Sequence, residues 1–343
     1  NGRDDDKLAS GAKANEYLLA TEFFERMQSL KLVLRTWEFK APVSGSGSSS
    51  VFDLADNNNQ NPDSSDLSTM EKELICEMFG KEGDWEETAY RWLFRCFGYH
   101  TNRLPMEELG QLLPYTLLKR HQEHGFQVLQ LEAMLLGQAG LLPEDSEDPY
   151  VQQLKKDHDF YQKKYGWTHG LTRQHWTFLG ARPSNFPTLR LAQLATVLVQ
   201  APHLLSIILE ESGDLTTFRK IFQSPPSPYW RQHYTFGKPS SKVTSNGLSE
   251  QSVQLLAINF VLPIWFAYGE FHDQEEWKDR CFSLLQSLPA EQNYVLRKFV
   301  RHAWIPKTAF DSQGMLELYR RYCSAQKCLS CKIGQSLLRS PSK

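Results

Sequence analysis

HWTFLGARPSNFPTLRLAQLA, residues 175–195, decides the fold. Pro183 and Pro187 bracket Ser184, Asn185 and Phe186 and predict a turn there. Pro187 suits the first position of a helix, where a missing N–H costs nothing. From Leu189 onward Leu189, Ala192, Ala195 and Val199 recur at helical spacing. The helix, which runs to Gln200, is nearly apolar all round apart from Arg190, Gln193 and Gln200. A helix apolar on nearly all sides belongs in a core. The rest of the chain is expected to pack around it. Arg182, Asn185 and Arg190 cluster at its start, where backbone N–H groups favour negative charge. They predict either an anion pocket or an Arg that pairs with acids and carbonyls inside a helical core.

Working outward, the remaining periodic segments also read as helices, and no strand alternation survives four residues. The class is all-α, an irregular multi-helix bundle. Asp84 predicts a cap for a helix ending near Gly98, with Glu86 and Glu87 as solvated charges in its first turn. Pro149–Tyr165 predicts a charged amphipathic helix closed by Gly166. Ser249 predicts a cap for a second apolar helix, Val253–Phe266, which Asn259 and Pro263 interrupt. No apolar run reaches the roughly eighteen residues that a membrane span needs. Residues 1–40 predict a polar tail and one helix. Residues 41–69, with SGSGSSS and DNNNQNPDSSD, predict a disordered low-complexity linker. A single helical domain is expected over 70–338, followed by a tail at 339–343.

The 343 residues suffice to bury roughly three quarters of the unfolded surface. Their net charge of −2 selects no polyanion globally. The charge is uneven, however: Glu291–Lys343 holds ten Lys/Arg against three Asp/Glu. Six cysteines are too few for a disulfide scaffold and fit a reducing, cytoplasmic setting. There is no initiating Met and no secretory signal at the start, as expected of a processed product or fragment. The 9 Trp and 13 Tyr are plentiful enough that some are expected at interfaces.

Three further constellations carry chemistry. Cys323, Cys328 and Cys331 have a spacing at which thiolates converge if a helix carries the last two. With a fourth ligand, such as Cys281, His302, Cys96 or Cys76, they would hold zinc or an iron–sulfur cluster. Otherwise they are three reduced thiols closing a helical hairpin. Arg297, Lys298, Arg301 and His302 share one predicted helix, with Lys307, Arg320, Arg321, Lys327, Lys332 and Arg339 after it. That density fits phosphate binding, or a solvated face that offsets the acidic N-terminal part. His233 lies in the aromatic run YWRQHYTFG, as a general base, a stacking group or part of a packed loop. No Walker loop, dinucleotide turn, HExxH or GxSxG is present, and Glu275-Glu276 reads as solvated charge. An enzyme with its whole active site in this chain is therefore not expected.

Several stretches together resemble one family. They are DWEETAYRWLFRCFG at 84–98, GQAGLL at 137–142, ARPSNFPTLRLAQLA at 181–195, YWRQHYTFG at 229–237 and AFDSQGMLELYRRYCSAQKCLSCKIG at 309–334. The chain is similar, over about 84–338, to the C-terminal half of the bacterial DUF2851 proteins of unknown function. The resemblance implies a helical half that accompanies a nuclease-like half with an acid…Glu-x-Lys core. No such pattern precedes Asp84 here. It also implies a likeness in outline to nucleases whose three C-terminal cysteines hold an iron–sulfur cluster.

The expectation is thus a non-catalytic nucleic-acid-binding module. Its contacts would be Arg297, Lys298, Arg301, Arg320, Arg321 and Lys327, with metal at Cys323, Cys328 and Cys331. A protein-interaction scaffold is the alternative, with the Trp/Tyr-rich loop as the contact. So is a small anion pocket at Arg182, Asn185, Arg190 and His233, with cryptic catalysis. No membrane partner is expected.

Overall fold

A computed structural model describes residues 69–335, apart from 123–124, 126, 211–215, 244, 302–303, 332 and 334. The tail, helix and linker expected over 1–68 lie outside the described residues, as does the tail at 339–343. Where one domain was expected over 70–338, the chain divides into two units. One is Leu67–Leu284 and the other contains Leu285 onward.

The larger unit is helical throughout. Its helices are α1 Thr69–Glu82, α2 Trp85–Phe97, α3 Arg103–Leu112, α4 Tyr115–Gln122, α5 Val128–Gln138 and α6 Pro149–Tyr165. After two 3₁₀ turns come α7 Pro187–Gln200, α8 Leu204–Glu210 and α9 Thr216–Phe222. Two α-helical pieces, Glu250–Leu256 and Leu262–Phe271, are joined by a π turn at Ala257–Val261 and together form α10. Helix α11, Glu276–Ser287, begins in this unit. Among the described residues there is no strand, only the isolated bridges His233–Pro239 and Pro289–Thr308.

The proline-led helix starts where its sequence predicts, with Phe186 as N-cap and Pro187 in the first turn. Everything from Pro187 to Leu198 is buried. Helix α5 and helix α9 pack on it, and α2 packs on α3, α8 and the π turn. Burying apolar side chains on all sides of α7 is the main favourable term in this arrangement, at about 1.5–3 kcal/mol per fully buried Leu or Val.

Helix α10 covers the helix expected over Val253–Phe266 and accommodates Pro263 within it. Pro263 has no N–H for the Asn259 carbonyl one turn back. The chain widens into a π turn, in which Leu262 N–H reaches the Ala257 carbonyl. The released Asn259 carbonyl accepts instead from Trp92 Nε1 at 2.9 Å and Cys96 Sγ at 3.3 Å, both on α2. The helix therefore continues to Phe271. By length and composition Glu250–Phe271 could cross a membrane, yet 72% of its apolar window is buried inside the protein, as in a core helix.

The same device recurs at helix ends, whose last carbonyls lack intrahelical partners. Trp265 Nε1 donates to Ile208 O at 2.7 Å and Arg280 to Leu209 O at 3.1 Å, both in the last turn of α8. Trp176 Nε1 donates to Ala139 O, the C-cap of α5, at 2.8 Å. Tyr90 donates to Leu113 O and Tyr115 to Pro202 O, each at 2.6 Å. Interfaces were expected for some of these rings, but Tyr90, Trp92, Trp230 and Trp265 are among the most deeply buried side chains.

At the other helix ends, carboxylates take the role. Glu87 accepts from Tyr115 N–H at 2.8 Å and Glu86 from Leu205 N–H at 3.3 Å, at the starts of α4 and α8. Glu86 and Glu87 are thus helix caps within the fold, not the solvated charges the sequence suggested. Burial is the largest influence on both and raises both carboxyls, that of Glu87 to about 7.

The second unit, as described, is smaller. It holds α12, Tyr294–Val300, and α13, Ala309–Leu318, continued by a π turn at Tyr319–Cys323. Leu296, Met315 and Leu316 form its centre, flanked by Val295, Phe299 and Trp304. Buried Ser312 accepts from Glu291 N–H at 3.2 Å, and Ala309 N–H donates to Leu288 O at 2.9 Å.

The GQAGLL motif has a steric reason. Gly137 leaves room for the His158 ring, which a Cβ would approach to 2.0 Å. Gly140 has φ +62°, and a Cβ there would fall 2.2 Å from the Leu171 carbonyl. Gly140→Ala is expected to cost roughly 1–3 kcal/mol, or roughly 2–12 °C in melting temperature. Gly166 has a similar φ of +64° but nothing within 4 Å of its Cβ position. Gly166→Ala should therefore cost less than Gly140→Ala in the same melting experiment.

Candidate functional site

The sequence VLQLEAMLLGQ of α5 places one acid, Glu132, in an apolar run. The residue is 0% exposed. Its Oε2 accepts from Tyr150 OH at 2.8 Å and Ser227 Oγ at 2.5 Å, and its Oε1 from Ser227 N–H at 3.4 Å. Tyr150 stands near the start of α6 and Ser227 just before the 3₁₀ turn Pro228–Arg231. One carboxyl group thereby ties three segments. Burial pushes its pKa up from 4.5 to about 7, against the pull of its hydrogen bonds. Desolvation wins because three neutral donors restore only part of what water gave. Burial and the adjacent Glu132 charge also push the Tyr150 hydroxyl far above its ordinary range.

From Tyr150 the hydrogen bonds continue. Trp230, 0% exposed, donates from Nε1 to Tyr150 OH at 2.8 Å. Asn246 Nδ2 donates to the Trp230 carbonyl. Gln193 Nε2 donates to the Asn246 carbonyl at 2.6 Å. Arg190 donates to Gln193 Oε1 at 3.0 Å and to Asn185 Oδ1 at 2.5 Å. Its guanidinium also lies over the Tyr99 ring, 4.3 Å from the centroid. A chain of polar contacts thus leads from a guanidinium on α7 to a carboxyl on α5 through the 227–246 loop.

This placement decides the four expected pocket residues. Arg190 and Asn185 come together, but Arg190 is only 4% exposed and bonds to neutral oxygens of its own fold. Arg182 stays at the exposed surface of the preceding turn. His233 stacks on Tyr229 with centroids 3.9 Å apart, and its Nδ1 donates to the Tyr229 carbonyl at 2.8 Å. Its link to α7 is the neighbouring Tyr234 carbonyl, which accepts from Thr188 Oγ1 at 2.5 Å. Of the four, Arg190 and Asn185 bond to each other, while His233 is bonded to its own loop and Arg182 is exposed. The aromatic loop expected as a protein contact has its Trp230 fully buried. Glu132, Tyr150 and Ser227 escaped the sequence reading, although a lone acid inside VLQLEAMLL signals a buried partner.

In the second unit, Cys323 and Cys328 are exposed and Cys331 is buried. The single helix that would align the last two is absent. Cys328 starts a 3₁₀ turn and Cys331 is extended, at φ −88° and ψ 127°. The three are not gathered into a metal centre: among the described residues no group of three or more His, Cys, Asp or Glu could hold a metal ion. As for the proposed fourth ligands, Cys281 is buried with its thiol pushed up by desolvation, and His302 lies outside the described residues.

Of the six basic candidates, four are exposed. Tyr294, Arg297, Lys298 and Arg301 stand at i, i+3, i+4 and i+7, one face of a helical segment. Arg301 is the C-cap and keeps helical backbone angles. Arg297, Arg301, Arg321 and Lys327 are exposed, whereas Lys298 and Arg320 are half-buried. Lys298 Nζ donates to Tyr319 OH at 2.8 Å and lies over the Tyr294 and Tyr319 rings at 4.6 and 4.7 Å. The Tyr319 contact is the first cause that raises its pKa. Arg320 and Arg321 both pair with Glu317. Of the other two acids, Glu291 is buried and accepts from Gln313 at 3.0 Å. Asp311 accepts from the Lys307 and Thr308 N–H groups. Lys332 and Arg339 lie outside the described residues.

The family model described as Protein of unknown function (DUF2851) matches residues 67–294. Searches of curated proteins and of solved structures gave no match. The matched span takes in the whole larger unit and ends before Arg297. The expected resemblance over 309–334, and every C-terminal candidate residue, therefore falls beyond it.

Glu132 makes stability depend on pH. A carboxyl whose pKa is higher folded than unfolded contributes stability below the unfolded value, here 4.5, and loses it as pH rises through about 7. That loss is on the order of 3 kcal/mol at most. His100 and His158, pushed down by burial, act in the opposite sense, so a paired comparison is needed. Glu132→Gln should flatten the fall in melting temperature between pH 5 and pH 8, measured against wild type. Parallel curves for the two proteins would refute the assignment.

Proposed function

The chain belongs to the family Protein of unknown function (DUF2851), and since that description assigns no activity, we propose a function from the residues themselves. The protein is a non-catalytic helical module that binds nucleic acid through the basic face of its C-terminal unit. The observation that carries this reading is the row Arg297, Lys298 and Arg301 on one helical face, with Lys327 exposed in the same unit. All three acids after residue 290 are engaged, Glu291 by burial, Asp311 by capping and Glu317 by two arginines. The exposed cations Arg297, Arg301 and Lys327 are therefore left to meet phosphates. A catalytic reading is disfavoured, because the two carboxyls raised to about 7 among the described residues, those of Glu87 and Glu132, are both buried and bonded to groups of the fold.

Fluorescence anisotropy with labelled nucleic acid across a salt series tests the proposal. Each phosphate contact contributes roughly −0.7 to −0.9 to the slope of log K against log salt. Charge reversal at Arg297 and Arg301 together should weaken binding by about tenfold or more and flatten the slope by about 1–2. Salt-independent binding, or binding that both reversals leave intact, would sink the proposal.

A further inference from the structure

The basic face is not only basic. Tyr294 opens it and is 46% exposed, although an aromatic side chain of its size gains from burial. Its position is fixed from two sides. Asn293 caps the helix by accepting from Leu296 N–H at 2.9 Å, and Lys298 holds its ammonium over the Tyr294 ring at 4.6 Å. Tyr319 takes the same ammonium as hydrogen-bond acceptor and as ring partner. An exposed ring braced by a cation, with Arg297 and Arg301 one and two turns along the same face, has the composition of a single-strand site. Bases stack on such a ring while the arginines follow the backbone. A duplex keeps its bases stacked on each other and offers this ring nothing comparable.

Resting on the nucleic-acid reading above, we infer that Tyr294 is a base-stacking platform and that the preferred ligand is single-stranded. Phosphate contacts at Arg297 and Arg301 serve strand and duplex alike. Tyr294 adds affinity for the unpaired strand alone. The Lys298–Tyr319 clasp positions the ring, so its loss acts through Tyr294.

The full chain would be titrated with a labelled oligo(dT) strand and with a duplex of the same length. Wild type should favour the strand. Tyr294→Ala should lose about tenfold on the strand and less than about twofold on the duplex. Tyr294→Trp should retain the preference, and circular dichroism would confirm that both variants fold. Equal loss on strand and duplex, or no preference in wild type, overturns the stacking inference. If salt-dependent binding and its sensitivity to Arg297 and Arg301 persist in that case, the broader reading survives. Binding to neither nucleic acid, including a protein that binds only anionic lipid vesicles, overturns both.

Discussion

Every α-helix leaves its final carbonyls without partners, and a bundle of short helices multiplies that debt inside a core that excludes water. This fold meets it with aromatic side chains that carry a donor at the tip. Trp92, Trp176, Trp265, Tyr90 and Tyr115 each reach a backbone carbonyl at a helix end, a chain turn or a helix break. Each ring supplies apolar bulk and the missing hydrogen bond together. A leucine would fill the same space and leave the carbonyl bare, at about 1–3 kcal/mol. The aromatic content of the chain is therefore a requirement of its architecture.

Carboxylates do the opposite work at helix starts and in the core. Glu86 and Glu87 sit side by side on α2 yet cap different helices, α8 and α4. Glu132 joins α5, α6 and the 227 loop. For Glu87 and Glu132 desolvation outweighs the donors, so the proton is held up to about neutral pH. The protein keeps geometry at the cost of a pH-dependent burden.

Much of the fold was legible in the sequence. Proline at a first turn, apolar recurrence through α7, the Asp84 and Ser249 caps and the Gly166 stop are local signals, and each lies where it was expected. What escaped was long-range. The π turn ahead of Pro263, and the Trp92 donor that takes up the Asn259 carbonyl, have no local signal. Glu86 and Glu87 read as solvated because first-turn acids usually are, and the helices they cap come later in the chain. Arg190 and His233 looked chemically available because spacing cannot show that Gln193, Asn185 and the Tyr229 carbonyl already engage them. The basic face was visible as composition. Which of its members share a helical face with Tyr294 became clear once α12 had boundaries.

The Trp92–Asn259 contact spans 167 positions. A ribosome adding roughly 5–20 residues per second needs about 8–33 s to cover that distance. A helix as short as α2 is marginal in water by itself, so its full stability waits for that partner. Throughout that interval the Trp92 indole N–H lacks the carbonyl it bonds in the folded protein. The fastening of α2 to α10 is thus among the late events of folding, closed only when most of the larger unit has been made.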